Sequence, residues 1–268
     1  MKRILSLILA LAIMITSAFM LVGCGDDNTL TCGVTIFANM NEKDADGNWT
    51  GFESEFAMEV GKIIGMDVEF QEIDWEQKYN ELNSGAIDCI WNGFTANSSD
   101  KINGIEQKRS DLVDFTYGYM LNQQCIVVKS ENLESYKTAA DLAGKKAAVE
   151  GGSAGASYAA SVTDEDKITK ASSQIEAFPE LASGAVDFIV CDIVLAKNIC
   201  GKGDYSNLTI VEDIVLESEI YAIGFKKGSD LTAKVNAAIE ELFENGKLAA
   251  LAKKYGFENV LSLEKEID

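Results

Sequence analysis

The chain has 268 residues, 43 acidic against 23 basic side chains, a formal charge of −20 and no histidine. That charge is opposite in sign to what a phosphate backbone attracts, which argues against nucleic-acid partners, and the lack of histidine removes imidazole as a metal ligand or proton carrier. With one proline and 22 glycines, the composition also argues against a linker-rich or disordered polypeptide. Met1-Lys2-Arg3 precede a stretch without charge from Ile4 to Gly23, which closes on Leu21-Val22-Gly23-Cys24. Basic, apolar and small residues in that order are expected of an export signal. About 20 apolar residues can also span a bilayer, so an uncleaved helix is the alternative. Either reading places the remainder outside, and removing residues 1–23 takes the charge from −20 to −22. The remaining 245 or so residues can bury one large or two modest cores.

After a polar segment from Gly25 to Leu30, strand-like and helix-like segments alternate with short turns, the pattern of α/β layers. The periodicity predicts a strand over Thr31–Phe37, a helix over Glu53–Ile64, a strand over Asp67–Glu72, a helix over Trp75–Leu82 and a strand over Ile87–Trp91. A second series follows with strand Gln124–Val128, a helix near Thr138–Leu142, strand Lys146–Glu150, helices Ala154–Ser161 and Gln174–Ala182, strand Val186–Val190 and helix Ile193–Ile199. Strand Ile220–Phe225 then leads to helices Leu231–Phe243 and Leu248–Tyr255. Leu82-Asn-Ser-Gly-Ala-Ile-Asp88 and Leu181-Ala-Ser-Gly-Ala-Val-Asp187 each stop a helix at Gly and enter an apolar strand, which suggests two lobes built on similar units.

Cys32, Cys89, Cys125 and Cys191 lie in apolar runs, as small buried hydrophobes do. Cys191 and Cys200 flank one helix and would stand about 13 Å apart, too far to bridge, so free thiols are expected. Asp44, Asp46, Asn48, Thr50, Phe52 and Glu55 fall at calcium-loop spacings, but Trp49 stands where that loop demands Gly, and a hairpin turn through Asp46-Gly47 accounts for the segment better.

Leu21-Val22-Gly23-Cys24 resembles the bacterial lipobox. The resemblance implies that Cys24 receives a lipid, that residues 1–23 are removed and that residues 24–30 form a tether; two or more acyl chains make a stable anchor. From Thr31 to about Phe257 the chain resembles the polar amino-acid-binding family (family 3) of ABC-importer solute-binding proteins. The blocks that carry the likeness are Asp46-Gly-Asn-Trp-Thr-Gly-Phe52, Ile73-Asp-Trp75 with Leu82-Asn-Ser-Gly85, and Ile87-Asp-Cys-Ile-Trp-Asn-Gly-Phe-Thr95. Asp114-Phe-Thr116 with Tyr119, Asp141-Leu-Ala-Gly-Lys145, Gly151-Gly-Ser153, the second Leu-Ala-Ser-Gly block with Asp192, and Asn245-Gly246 follow in order. The likeness implies an α/β, two-lobed periplasmic-binding-protein-like (type II) fold with a two-strand hinge and an interlobe ligand cleft. Residues 31–121 plus 222–268 would form the first lobe and residues 122–221 the second, with hinges near Leu121–Gln124 and Glu219–Tyr221.

A free amino acid carries a carboxylate and an ammonium, and both must be paired when water leaves. By resemblance Arg109, counted back from Asp114-Phe-Thr116 past a segment (Asn97–Ile105) that looks inserted, grips the carboxylate, and Asp192 takes the ammonium. As bare patterns, Arg109 reads as a loop residue and Asp192 as a helix N-cap. Ser153 after two glycines would add a hydroxyl and free N–H groups, Phe37 and Trp75 would bracket the ligand, and Asn92, Gly93 and Thr95 would offer acceptors. Asn39 completes the set of candidate ligand-binding residues. Glu53, Glu55 and Glu150 are acids that could face the cleft and favour a cationic ligand, but acidic residues are abundant and most are expected to be solvated, so the sequence singles out no amino acid. The implied role is an extracytoplasmic, lipid-anchored monomer that needs no metal or cofactor and passes its amino acid to a membrane permease. The alternatives on the same fold are a ligand-sensing receptor and a dehydratase; for the latter the chain offers no histidine as acid or base.

Overall fold

A computed structural model of the chain describes residues 28–267; the expected export signal, Cys24 and most of the expected tether lie outside them. β1 (Thr29–Val34) begins inside the segment expected to be tether, because Leu30 pairs with Val68 and is fully buried. The hairpin β2 (Glu42–Lys43) and β3 (Trp49–Thr50) turns through Asp46-Gly47, and the Asp44 carboxylate accepts the N–H groups of Asp46 and Asn48. α1 (Phe52–Ile64) buries Phe52, Phe56 and Val60 along one stripe and ends at left-handed Gly65. β4 (Asp67–Glu72) matches its expected bounds. The helix expected from Trp75 starts as a 3-10 turn, Trp75–Gln77, before α2 (Lys78–Ser84), and β5 is only Cys89–Ile90. The segment that looked inserted folds as a hairpin of β6 (Ser99–Ile102) and β7 (Ile105–Lys108), which delivers the chain to α3 (Arg109–Leu112) and β8 (Asp114–Phe115).

β9 (Gly118–Lys129) then crosses into a second set of elements, β10 (Ala147–Glu150), α4 (Ala154–Val162), β11 (Ile168–Ala171), α5 (Gln174–Ser183), β12 (Phe188–Asp192), α6 (Ile193–Ile199) and β13 (Leu208–Ile210). The return is β14 (Ser218–Tyr221), followed by β15 (Gly224–Phe225), α7 (Leu231–Glu244), α8 (Lys247–Tyr255) and β16 (Leu261–Glu264). The run expected as one strand over Ile220–Phe225 is therefore two: β14 pairs with β9, whereas β15 joins the first sheet beside β5 and β8.

Two lobes result. The first is built on the sheet order β4-β1-β5-β15-β8 and the second on β11-β10-β12-β9-β13. In each, the first strand lies between two parallel neighbours and an antiparallel crossing strand comes next. The repeated helix–Gly–strand joint is equivalent down to its hydrogen bonds. Gly85 and Gly184 both take left-handed caps, and the aspartate that follows, Asp88 or Asp187, accepts the N–H of Thr31 or Lys146 at 2.8 Å. That bond locks each lobe's third strand against its first, and the strand ends that form the cleft follow from it. The five described cysteines, 32, 89, 125, 191 and 200, are free thiols, with Cys32 and Cys89 facing each other at 3.6 Å between sulfurs.

Candidate ligand-binding cleft

The C-terminal ends of strands from both lobes meet at one cleft. The first lobe contributes Trp75, Asn92, Gly93, Thr95 and Arg109, and the second contributes Gln124, Glu150, Ser153, Gln174 and Asp192. The space left between these walls is about 10 Å³, room for one water and not for an amino acid. Three bonds cross it: Lys78 Nζ donates to the Gly152 carbonyl at 2.8 Å, Lys170 pairs with Glu76 at 2.7 Å, and Thr35 meets the Glu150 carboxyl at 3.2 Å.

On the first lobe, β5 ends at Ile90 and the chain turns through Asn92 and Gly93. Thr35 donates its N–H and its hydroxyl to Asn92 Oδ1 at 2.5 and 2.6 Å, and Asn92 Nδ2 has no partner among the described residues. A buried donor left open at a cleft is available to a ligand. Gly93 has φ 58°, and a Cβ there would lie 3.1 Å from the rings of Phe37 and Tyr221; its N–H donates to Glu53 at 2.8 Å. Glu53, wholly buried, also accepts from Tyr119 and Asn41. Burial lifts its carboxyl to about 7 even though those three bonds pull the other way.

Arg109, the one arginine among the described residues, opens α3 with its guanidinium 5.0 Å from the Phe94 ring centre and is only 1% exposed. Its Nε and Nη2 donate to Asp100 Oδ1 at 3.1 and 2.8 Å, and Nη1 donates to the Thr95 carbonyl at 3.1 Å. Asp100 Oδ2 accepts from Tyr79 at 2.6 Å and stands 3.5 Å from Lys78 Nζ. Burial raises the Asp100 carboxyl, but the Arg109 and Lys78 cations outweigh it and bring it to about 2. Lys78, in turn, is lowered to about 8 by burial.

On the second lobe, Ser153 caps α4: its hydroxyl accepts from the Ala156 N–H at 3.0 Å and donates to the Glu150 carbonyl at 2.8 Å. The helix thus presents its N-terminus, with unpaired N–H groups, to the cleft. Asp192 precedes α6 but makes no capping bond. Its carboxylate is held instead by side-chain amides, from Asn122 at 2.8 Å, Gln174 at 2.5 Å and Gln124, and its pKa is raised by burial. Three amide donors outcompete the helix end as partners. Asn122 and Gln124 also donate to Glu219, whose carboxyl rises to about 7 through burial and the nearby Asp192 charge.

Glu150 is 3% exposed, and burial followed by the Asp192 charge pushes it up to about 8. The Thr35 hydroxyl has one proton, spent on Asn92, so the Thr35–Glu150 contact is a hydrogen bond when Glu150 is protonated and donates.

Phe37 and Asn39 do not line the cleft. Phe37 is 3% exposed in the first lobe's core behind Gly93, and Asn39 sits in a left-handed turn where its carbonyl accepts the Phe52 N–H. Sequence reasoning named neither Gln124 nor Gln174 as a ligand-binding residue, and took Glu150 only as an acid that could face the cleft. The one signal for the glutamines is polarity in unexpected places, the run Asn122-Gln123-Gln124 within an otherwise apolar strand and Gln174 at the start of a helix.

Comparison with known proteins bears on the family and the fold. The profile of the bacterial extracellular solute-binding proteins, family 3, matches residues 30–259. The arginine-binding extracellular protein ArtP of Bacillus subtilis is 27% identical, the match covering 95% of this chain and 98% of that protein. The L-cystine-binding protein TcyJ of Escherichia coli is 28% identical over 78% of this chain and 75% of its own length. An ancestral arginine-binding protein solved with arginine superposes with a TM-score of 0.76 at 32% identity, covering 86% of this chain and 99% of that one. The two-lobed fold and the family profile agree: the chain belongs to family 3 of the bacterial extracellular solute-binding proteins.

Proposed function

We propose that the protein captures a free α-amino acid with a cationic side chain and presents it to an ABC permease. The observation that carries this reading is the meeting of Arg109 and Asp192, from opposite lobes, across one buried cleft. Arg109 and the N-terminus of α4 supply donors for a carboxylate, and Asp192 with the Thr95 region supplies acceptors for an ammonium. With both ends of a zwitterion matched, Glu150 remains as a buried carboxyl without a cation of its own, and a ligand guanidinium or ammonium would fill that place. The similarity to arginine-binding proteins supports the same ligand class. Capture requires the lobes to part and reclose about β9 and β14, a hinge motion. In the cell the protein would work as a monomer outside the cytoplasmic membrane, held there through a lipid on Cys24.

Calorimetry with the full set of amino acids tests the reading. L-arginine, L-lysine or L-histidine should bind with micromolar or tighter affinity, and tighter than L-glutamine and L-cystine. Preference for an uncharged amino acid would overturn the assignment of Glu150, and no binding by any amino acid would overturn the function itself.

A further inference from the structure

We propose that Asp100, carried by the β6–β7 hairpin, is the positioning residue that aims the Arg109 fork at the ligand's carboxylate. The proposal rests on reading the cleft as an amino-acid site. Within the hairpin the alternation of the strand turns Lys101 outward, whereas Asp100 is 7% exposed. A buried carboxylate on a surface hairpin is costly unless it is paired, and its partner is Arg109.

The donors of Arg109 can be counted. A guanidinium has five N–H groups. Asp100 takes the Nε–H and one on Nη2, and the Thr95 carbonyl takes one on Nη1. One N–H on each of Nη1 and Nη2 remains, and Arg109 lines the cleft. Asp100 cannot swing aside to release the other edge, because Tyr79 and Lys78 hold its second oxygen. Arg109 and Lys78 together carry two positive charges against the one on Asp100, so this cluster keeps a net positive charge. A carboxylate that instead occupied Arg109 as an internal ligand would have blocked the tip of the fork, not its side.

Asp100→Asn and Tyr79→Phe test this, with L-arginine and agmatine, which lacks the α-carboxylate, as calorimetric probes. In the unmodified protein L-arginine should bind far more tightly than agmatine. In Asp100→Asn the affinity for L-arginine should fall by about tenfold or more while that for agmatine stays nearly constant, and Tyr79→Phe should move the ratio the same way by less. Equal losses for both probes, or tighter binding of L-arginine, would show that Asp100 supports the fold or occludes the site. If the unmodified protein does not bind L-arginine, the cationic-ligand reading fails on its own, and nitrogen-15 NMR of the Arg109 Nε–H decides for Asp100. A resonance protected from exchange in the unmodified protein and lost in Asp100→Asn sustains the positioning role, and an identical resonance in both removes it.

Discussion

Replacing Glu150 by Gln removes an ionisable group while keeping its shape and its ability to donate to Thr35. In the folded protein the Glu150 carboxyl is raised from the usual 4.5 to about 8 by burial and by Asp192. The folded state therefore holds a proton that the unfolded chain gives up above 4.5. The stability this proton contributes is fully present below the unfolded value and is lost as pH rises toward 8. A tenfold change in proton affinity corresponds to about 1.4 kcal/mol, so by pH 7 the native protein has lost roughly 3 kcal/mol through this group. Glu150→Gln carries no such loss. Urea denaturation of the ligand-free proteins should find the two alike near pH 4.5, with the variant more stable by about 3 kcal/mol at pH 7. A cationic ligand reverses the sign of the environment and expels the proton, so L-arginine binding at pH 7 should release close to one proton more from the native protein than from the variant. The readout is calorimetry in two buffers of different ionisation enthalpy. A stability difference that does not change with pH would refute the reasoning, because it would mean that Glu150 ionises as freely as an exposed carboxyl.

Arg109→Ala leaves Asp100 buried with Lys78 at 3.5 Å and the Tyr79 bond as its remaining partners; the expected loss is about 3 kcal/mol of unfolding free energy, the low end for a broken buried pair because Lys78 still compensates, and a loss under 1 kcal/mol by urea denaturation would show that the pair is solvated. Lys78→Met removes the bond to the Gly152 carbonyl that ties the lobes together, so the ligand-free variant should have a larger radius of gyration by X-ray scattering; an unchanged radius would mean that this bond does not hold the cleft shut. Gly93→Ala forces φ 58° on a residue with a Cβ and pushes that carbon toward Phe37 and Tyr221. It should cost about 1–3 kcal/mol and weaken binding; full affinity and unchanged thermal stability would contradict it.

Much of the fold is legible in local pattern, because α1, β4, α6 and α8 each carry a clean apolar period with a glycine or polar stop. Several strands that pattern misses, β11, β13 and β16 among them, are short, and Ile-Thr-Lys-Ala between Lys167 and Ser172 carries little periodic signal. The run Ile220–Phe225 is continuously apolar, and nothing local marks Ala222-Ile223 as the place where the chain leaves one sheet for another. In the site, Arg109 and Asp192 are reachable through family blocks, whereas Asp100, Tyr79 and Lys78 are not. Their association depends on how a hairpin folds back over a helix, and that is a fact of tertiary structure. Asp192 shows the converse. Its position before a helix predicts a cap, but distant glutamines and an asparagine bind it first.

β9 belongs to both lobes at once: its first half pairs with β14 and β16, its second with β12 and β13. Bending such a strand displaces atoms in proportion to their distance from the bend. Asn122 and Gln124 lie at the pivot with Asp192 and Glu219 on them, while Arg109 and Lys78 ride on the arm that swings. On the proposed reading, an ammonium seated at the pivot keeps Asp192 whether the arms are open or shut. The carboxylate gains Arg109 and the N-terminus of α4 together only when they close, so the ligand's acidic end would supply the torque and its basic end the anchorage.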